Sequence, residues 1–156
     1  MTMALERPVD LTEPTTLLLP EVAGQLINRI TTDHPEISVD LARRIVGQTA
    51  AFIAASGRQP GQSLAPSALV DIGWHAFLLH TVDYAAFCER VVGRFVHHVP
   101  TDDGQEAAGE VQQTRKRTIA AIEAAGYAVD SELWPDMADC TQCHAGCTNS
   151  PNTGKK

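Results

Sequence analysis

Apolar positions along the chain recur three and four residues apart, the period of a helix buried on one side. Over residues 20–32, Val22, Leu26, Ile27 and Ile30 share such a face, and Asp33-His34-Pro35 interrupts it. Ser38 then reads as the N-cap of a second helix, VDLARRIVGQTAAFIAASG, with Asp40 in its first turn and Gly57 as its stop. Leu41, Ile45, Phe52 and Ile53, with the small Thr49 between them, form its expected core stripe. The stretch ASGRQPGQSLAPS, with two glycines and two prolines, is a loop. Pro66 opens a third helix, ALVDIGWHAFLLH, because proline is tolerated in a first turn. Thr81 is expected to cap a fourth, VDYAAFCERVVGRF, with Tyr84, Cys88, Val91 and Phe95 facing inward. After the break HHVPTDDGQ a fifth helix spans residues 105–125, burying Val111, Thr118, Ile119 and Ile122, and Gly126 ends it.

No run alternates apolar with polar residues in the period of a strand, and no segment repeats. The expected fold is therefore all-α, a compact bundle of about five helices with a short Cys-rich C-terminal tail. Residues 1–16 read as an irregular arm, 17–137 as the helical domain, and 138–156 as the Cys-rich tail, partly disordered. Leu133-Trp134 is the last apolar anchor before that tail.

Composition narrows the function. A chain of 156 residues, 44% hydrophobic and 20% charged, builds one ordinary domain whose core needs no disulfide staples. Its net charge of −7 argues against a nucleic-acid partner, which requires a basic face, and Arg115-Lys116-Arg117 reads as a solvated helix face. No apolar run reaches the ~18 residues of a membrane span. Glu6 and Asp10 fall early in an N-terminus without a long apolar stretch, so no secretory signal is expected and the chain is placed in the cytoplasm. In that compartment clustered cysteines point to metal or redox chemistry rather than to structural disulfides.

Candidate chemistry falls in two places. Asp71 and His75, four apart on the third helix, project from one face, where they can share a metal ion or pair so that Asp71 fixes the imidazole. His80 is five positions further on, about 140° round the helix, and points elsewhere. With the third and fourth helices antiparallel, His75 and Cys88 would each lie about 9 Å from their junction. Cys88 thus reads either as a neighbour of His75 or as a small core residue. His97 and His98 follow Gly93 where the fourth helix ends. Trp74, Phe77, Phe87 and Phe95 read as core, while Trp74, His80, Tyr84 and Cys88 are candidates to line the site.

The second place is the tail, CTQCHAGC. Cys140-x-x-Cys143 sets two thiolates to chelate one ion, and Cys147 with His144 or an outside donor can complete four ligands for zinc or an iron–sulfur centre. The same thiols can instead be redox-active. Cys140-Thr141-Gln142-Cys143-His144 also matches a c-type haem attachment pattern, but attachment outside the bacterial cytoplasm argues against haem.

Asp71-x-x-Trp74-His75, Tyr84-x-x-x-Cys88 and Gly93-x-x-x-His97-His98 together are similar to the core pattern of the glycine-rich domain-containing protein-like family, over about residues 66–100. The resemblance implies a helical domain and supplies no reaction. Phe77 stands where that pattern, Trp-His-x-His, has a second histidine, and the glycine-rich region of the larger members is absent.

The sequence therefore reads as a small helical protein binding iron or zinc through Asp71, His75 and one of His97 or His98, with metal-dependent catalysis as one use of that site. The alternative is a non-catalytic adaptor whose Cys tail binds zinc or is redox-active. No phosphate loop, nucleophile elbow or dinucleotide fingerprint specifies a substrate. Neither the partner, small molecule or protein, nor the oligomeric state is written in the sequence.

Overall fold

Small residues set the centre of the fold. Gly47, Ala50, Ala51, Ala54 and Ala55 lie in one helix, and their short side chains let neighbouring segments approach it from several directions. In the computed structural model, which describes residues 10–99 and 108–135, this helix is α2 (Val39–Arg58). Around it lie α1 (Pro20–Asp33), α3 (Ala68–Leu79), α4 (Thr81–Val91) and α5 (Ala108–Ala124), with 3-10 turns at Pro14–Leu17 and Ser131–Leu133. Five α-helices and no strand are thus present among the described residues, as the apolar period required. One isolated parallel bridge joins Thr12 to Tyr127.

The single stripe expected on α2 understates its burial. Every residue from Ile45 to Ala55 is buried, on all faces of the helix, while Leu41 is only half-buried. Full burial of Ile45, Phe52 or Ile53 contributes roughly 1.5–3 kcal/mol each. The polar members of this run are satisfied. The Thr49 hydroxyl lies 2.8 Å from the Ile45 carbonyl and 3.2 Å from that of Val70. The Gln48 amide donates to Ala128 O and accepts from the Trp134 indole N–H.

Helix starts follow the expected chemistry. Ser38 Oγ accepts from Leu41 N at 3.1 Å, and Ser67 caps α3 by accepting from Val70 N at 3.2 Å, so that helix opens at Ala68 and not at Pro66. Helix ends depart from it. Gly57 does not stop α2, which continues to Arg58. A Cβ at Gly57 would lie 2.1 Å from Val92 Cγ1, so the glycine makes room for the chain leaving α4. The fourth helix begins at Thr81, with His80 as its N-cap. It stops at Val91 rather than running to Phe95, because Gly93 adopts a left-handed φ of 88° and its N–H closes on the Cys88 and Glu89 carbonyls. Phe95 is consequently not an inward helical residue. It is partly exposed, with its ring edge-on to Tyr84. Gly126, at φ 95°, ends α5 as its position implied.

The segments flanking the helices are tied to α2. Thr12 pairs with Gly126 and Ala128 through two backbone hydrogen bonds, and Leu133 and Trp134 are buried. Arg44 makes a two-pronged contact with Asp130, 2.6 and 2.9 Å, and reaches Glu132 at 2.9 Å. That guanidinium holds the Asp130 carboxyl below the usual carboxylate range. In the basic trio, Arg115 donates to Pro135 O and Arg117 to Ser63 O, while Lys116 is exposed. Among the described residues no helix is long and apolar enough to cross a membrane.

Candidate metal centre

The first turn of α3 carries Asp71, and the next carries Trp74 and His75. The i, i+4 spacing brings His75 Nδ1 to 2.9 Å from the Asp71 backbone carbonyl and 3.3 Å from its Oδ2. A carbonyl can only accept, so Nδ1 is the donor, and in the neutral imidazole Nε2 keeps its lone pair free. His98 comes from the extended segment after α4. Its Nε2 meets Asp71 Oδ1 at 2.9 Å, and its ring lies 4.6 Å from that of His75 and 4.4 Å from Trp74, centre to centre.

A buried chain of hydrogen bonds fixes this segment. The Trp74 indole N–H donates to the Tyr84 phenol oxygen at 3.0 Å, and the phenol O–H donates to the Val96 carbonyl, two residues before His98. Burial pushes the Tyr84 phenol well above the ordinary tyrosine range, with the Cys88 thiol beside it adding to the shift. Tyr84 thus holds the segment that carries His98 against the helix that carries Asp71.

Asp71, His75 and His98 each offer a ligand atom, all within 4.8 Å of one another. Among the described residues no other set of three or more His, Cys, Asp or Glu side chains shares such spacing. Two ligands about 2.1 Å from a tetrahedral ion stand roughly 3.4 Å apart. The Asp71–His98 pair is already near that spacing, and the His75 side chain is 59% exposed. His98 is only 17% exposed and Asp71 36%, so the ring and the carboxylate are well anchored.

The cluster forms one side of a cleft of about 480 Å³, closed by the α2 end, the 62–68 loop and residues 96–99. His75 also borders a smaller groove of about 240 Å³ beside Ile30, Asp33 and His34. His97 lines the cleft without joining the three donors, and its ring stacks near Phe95. His80 is turned away, with Nδ1 donating to Ala76 O at 3.0 Å. Cys88 is wholly buried beneath Tyr84 and does not join the cluster. Cys140, Cys143, His144 and Cys147 lie outside the described residues.

Pattern reasoning missed Ser56, which borders the cleft and whose buried Oγ has no hydrogen-bond partner among the described residues, and the loop residues Gln62 and Leu64. None of these has a chemical signature in sequence. Only their position in the last turn of α2 and in the loop after it brings them to the site.

No curated protein and no solved structure matches the chain. A family model described as UCP032817-like matches residues 18–123, from the turn before α1 to the last turn of α5. That match corrects the resemblance to the glycine-rich domain-containing protein-like family. The Trp-His, Tyr-x-x-x-Cys and His-His spacings that suggested it are met here by core packing and by the Trp74–Tyr84–Val96 chain of hydrogen bonds. The chain belongs to the UCP032817-like family.

Proposed function

We propose that Asp71, His75 and His98 bind a divalent transition metal, iron(II) or zinc. The convergence of two imidazoles and a carboxylate from separate segments carries this reading. Mixed nitrogen and oxygen donors suit both ions, and three protein ligands leave positions open for water or a substrate. His75 fits the pattern of a metal-bound imidazole, because its second ring nitrogen is tied to a backbone carbonyl that fixes the tautomer. An ion seated between His98 Nε2 and Asp71 Oδ1 takes the place that the proton holds in their hydrogen bond. An ion here would act as a Lewis acid on a ligand entering the cleft, which makes metal-dependent catalysis the natural use of the site.

The 2.9 Å contact between Asp71 and His98 favours a second reading, a metal-free dyad in which the carboxylate orients His98 as a general base. Elemental analysis of anaerobically purified protein separates the two. The metal site predicts about one iron or zinc per chain at the helical site, lost in Asp71→Ala and in His98→Ala and kept when residues 138–156 are deleted. Stoichiometric metal retained by both alanine variants would place the ion elsewhere, and a protein that takes up no metal even when supplied with iron(II) or zinc leaves the dyad.

A further inference from the structure

The cleft beside the three donors is larger than a coordination site needs. Its volume, about 480 Å³, is that of a pocket for a small organic molecule. Phe52, Leu64, Pro66, Trp74, Val96 and Val99 supply apolar wall. No lysine or arginine is among the described residues that line it. Among these residues a phosphorylated or dianionic ligand would find no fixed cation, and Asp71 offsets half of a divalent charge.

One further group is unexplained by the fold. Ser56 borders the cleft, and its buried Oγ has no hydrogen-bond partner among the described residues. Buried hydroxyls are nearly always paired, because an unmade hydrogen bond is held at a cost that a paired one avoids. Rotation of the Ser56 side chain towards the cleft would let a ligand there supply the missing partner.

We infer that the cleft receives a small, neutral or monoanionic organic molecule with an apolar body, one oxygen of which completes the coordination of the metal while a second polar group pairs with Ser56. The inference rests on the metal site proposed above. It adds the ligand class: size and walls select an aromatic or branched aliphatic body, and the lack of cationic lining selects against phosphates.

Isothermal titration tests this with four probes that share one chelating head: acetohydroxamate, benzohydroxamate, and 3- and 4-hydroxybenzohydroxamate. A preliminary titration of the full-length chain with zinc alone establishes whether the metal binds. In the zinc-loaded protein benzohydroxamate is expected to bind at least about tenfold tighter than acetohydroxamate, from burial of its ring. One of the two hydroxy derivatives is expected to gain roughly a further fivefold by pairing with Ser56. Ser56→Ala should abolish that gain without lowering the melting temperature, since the hydroxyl makes no bond to any of the described residues. His98→Ala should remove binding of all four.

Equal affinity for acetohydroxamate and benzohydroxamate would overturn the apolar cleft. A hydroxy derivative whose gain survives Ser56→Ala, or no gain from either, would overturn the role of Ser56. Hydroxamate binding that survives His98→Ala would put the ligand elsewhere. A chain whose zinc uptake is unchanged by His98→Ala overturns the metal site, and this inference with it, whereas uptake that depends on His98 without discrimination among the probes overturns the inference alone.

Discussion

Gly73 is where α3 comes closest to α2, and replacing it with alanine probes the geometry that orients Asp71 and His75. A Cβ at this position would lie 2.1 Å from Thr49 Oγ1, 2.8 Å from Ile45 Cγ2 and 3.2 Å from Thr49 Cβ. Favourable contacts between such atoms begin at roughly 3.5 Å, so the helices must separate or Thr49 must rotate. Thr49 is fully buried, and its hydroxyl has the Ile45 and Val70 carbonyls for partners, so rotation forfeits those contacts. Overpacking of this kind costs about 1–3 kcal/mol, and the depth of the clash points to the upper end. Alanine recovers about 1 kcal/mol over glycine in a helix, which leaves a net loss of roughly 2 kcal/mol. For a chain of this length that lowers the melting temperature by about 4–8 °C. Thermal denaturation followed by circular dichroism measures it, for Gly73→Ala, Thr49→Ala and the double variant. Removing the Thr49 hydroxyl should relieve the clash, so the double variant should be more stable than the sum of the two losses by about 1 kcal/mol or more. A Gly73→Ala protein that melts at or above wild type would refute the close approach, and strict additivity would refute Thr49 as its cause.

Other consequences follow from the same contacts. Tyr84→Phe leaves the Trp74 indole N–H and the Val96 carbonyl without their buried partner, at a cost of about 2–4 kcal/mol, and should weaken zinc binding because His98 is two residues beyond Val96. Urea denaturation and zinc titration check both effects, and unchanged values would show that Tyr84 does not position the segment. Asp130→Asn should destabilise the protein at neutral pH by removing the partner of Arg44. Because the folded protein depresses the Asp130 pKa, the contribution is fully present above the unfolded value of about 3.9 and is lost as pH falls through the folded one. Urea melts of the two proteins should therefore differ at pH 7 and converge as pH falls from the unfolded pKa through the depressed folded one, and a gap that persists in stronger acid would contradict the assignment.

Much of the fold is legible in local chemistry, and what is hidden depends on contacts between segments. Ser38 announces its helix because a cap acts over three residues, and the helical period marks α1 and α5 because each buries one side. In α2 the period misleads. Its extra buried faces are made by glycine, alanine and threonine, which carry little hydrophobic signal yet permit α3 and the 14–17 turn to close in. Gly57 looks like a stop, but its role is set by Val92, which lies 35 positions away in sequence.

At the site, Asp71 and His75 are readable as a pair because their spacing is helical. The choice between His97 and His98 is not, since it depends on the left-handed turn at Gly93 and on the Tyr84 hydrogen bond to Val96. Cys88 faces inward as its period says, and inward here means the core beneath Tyr84 rather than the donors. The cysteine motif that is most conspicuous in the sequence falls outside the described residues, so the cluster on α3 stands on its own geometry.

Cobalt(II) substitution reports which atoms bind the metal. A full-length chain with Cys140, Cys143 and Cys147 changed to serine is titrated with one equivalent of cobalt(II) and followed by visible and near-ultraviolet absorption. Ligation by Asp71, His75 and His98 predicts visible ligand-field bands that saturate at one ion per chain, show no thiolate charge-transfer absorption and disappear when His98→Ala is added. Absence of those bands in the serine variant, with thiolate charge-transfer absorption in wild type that is indifferent to His98→Ala, would contradict a metal centre on α3.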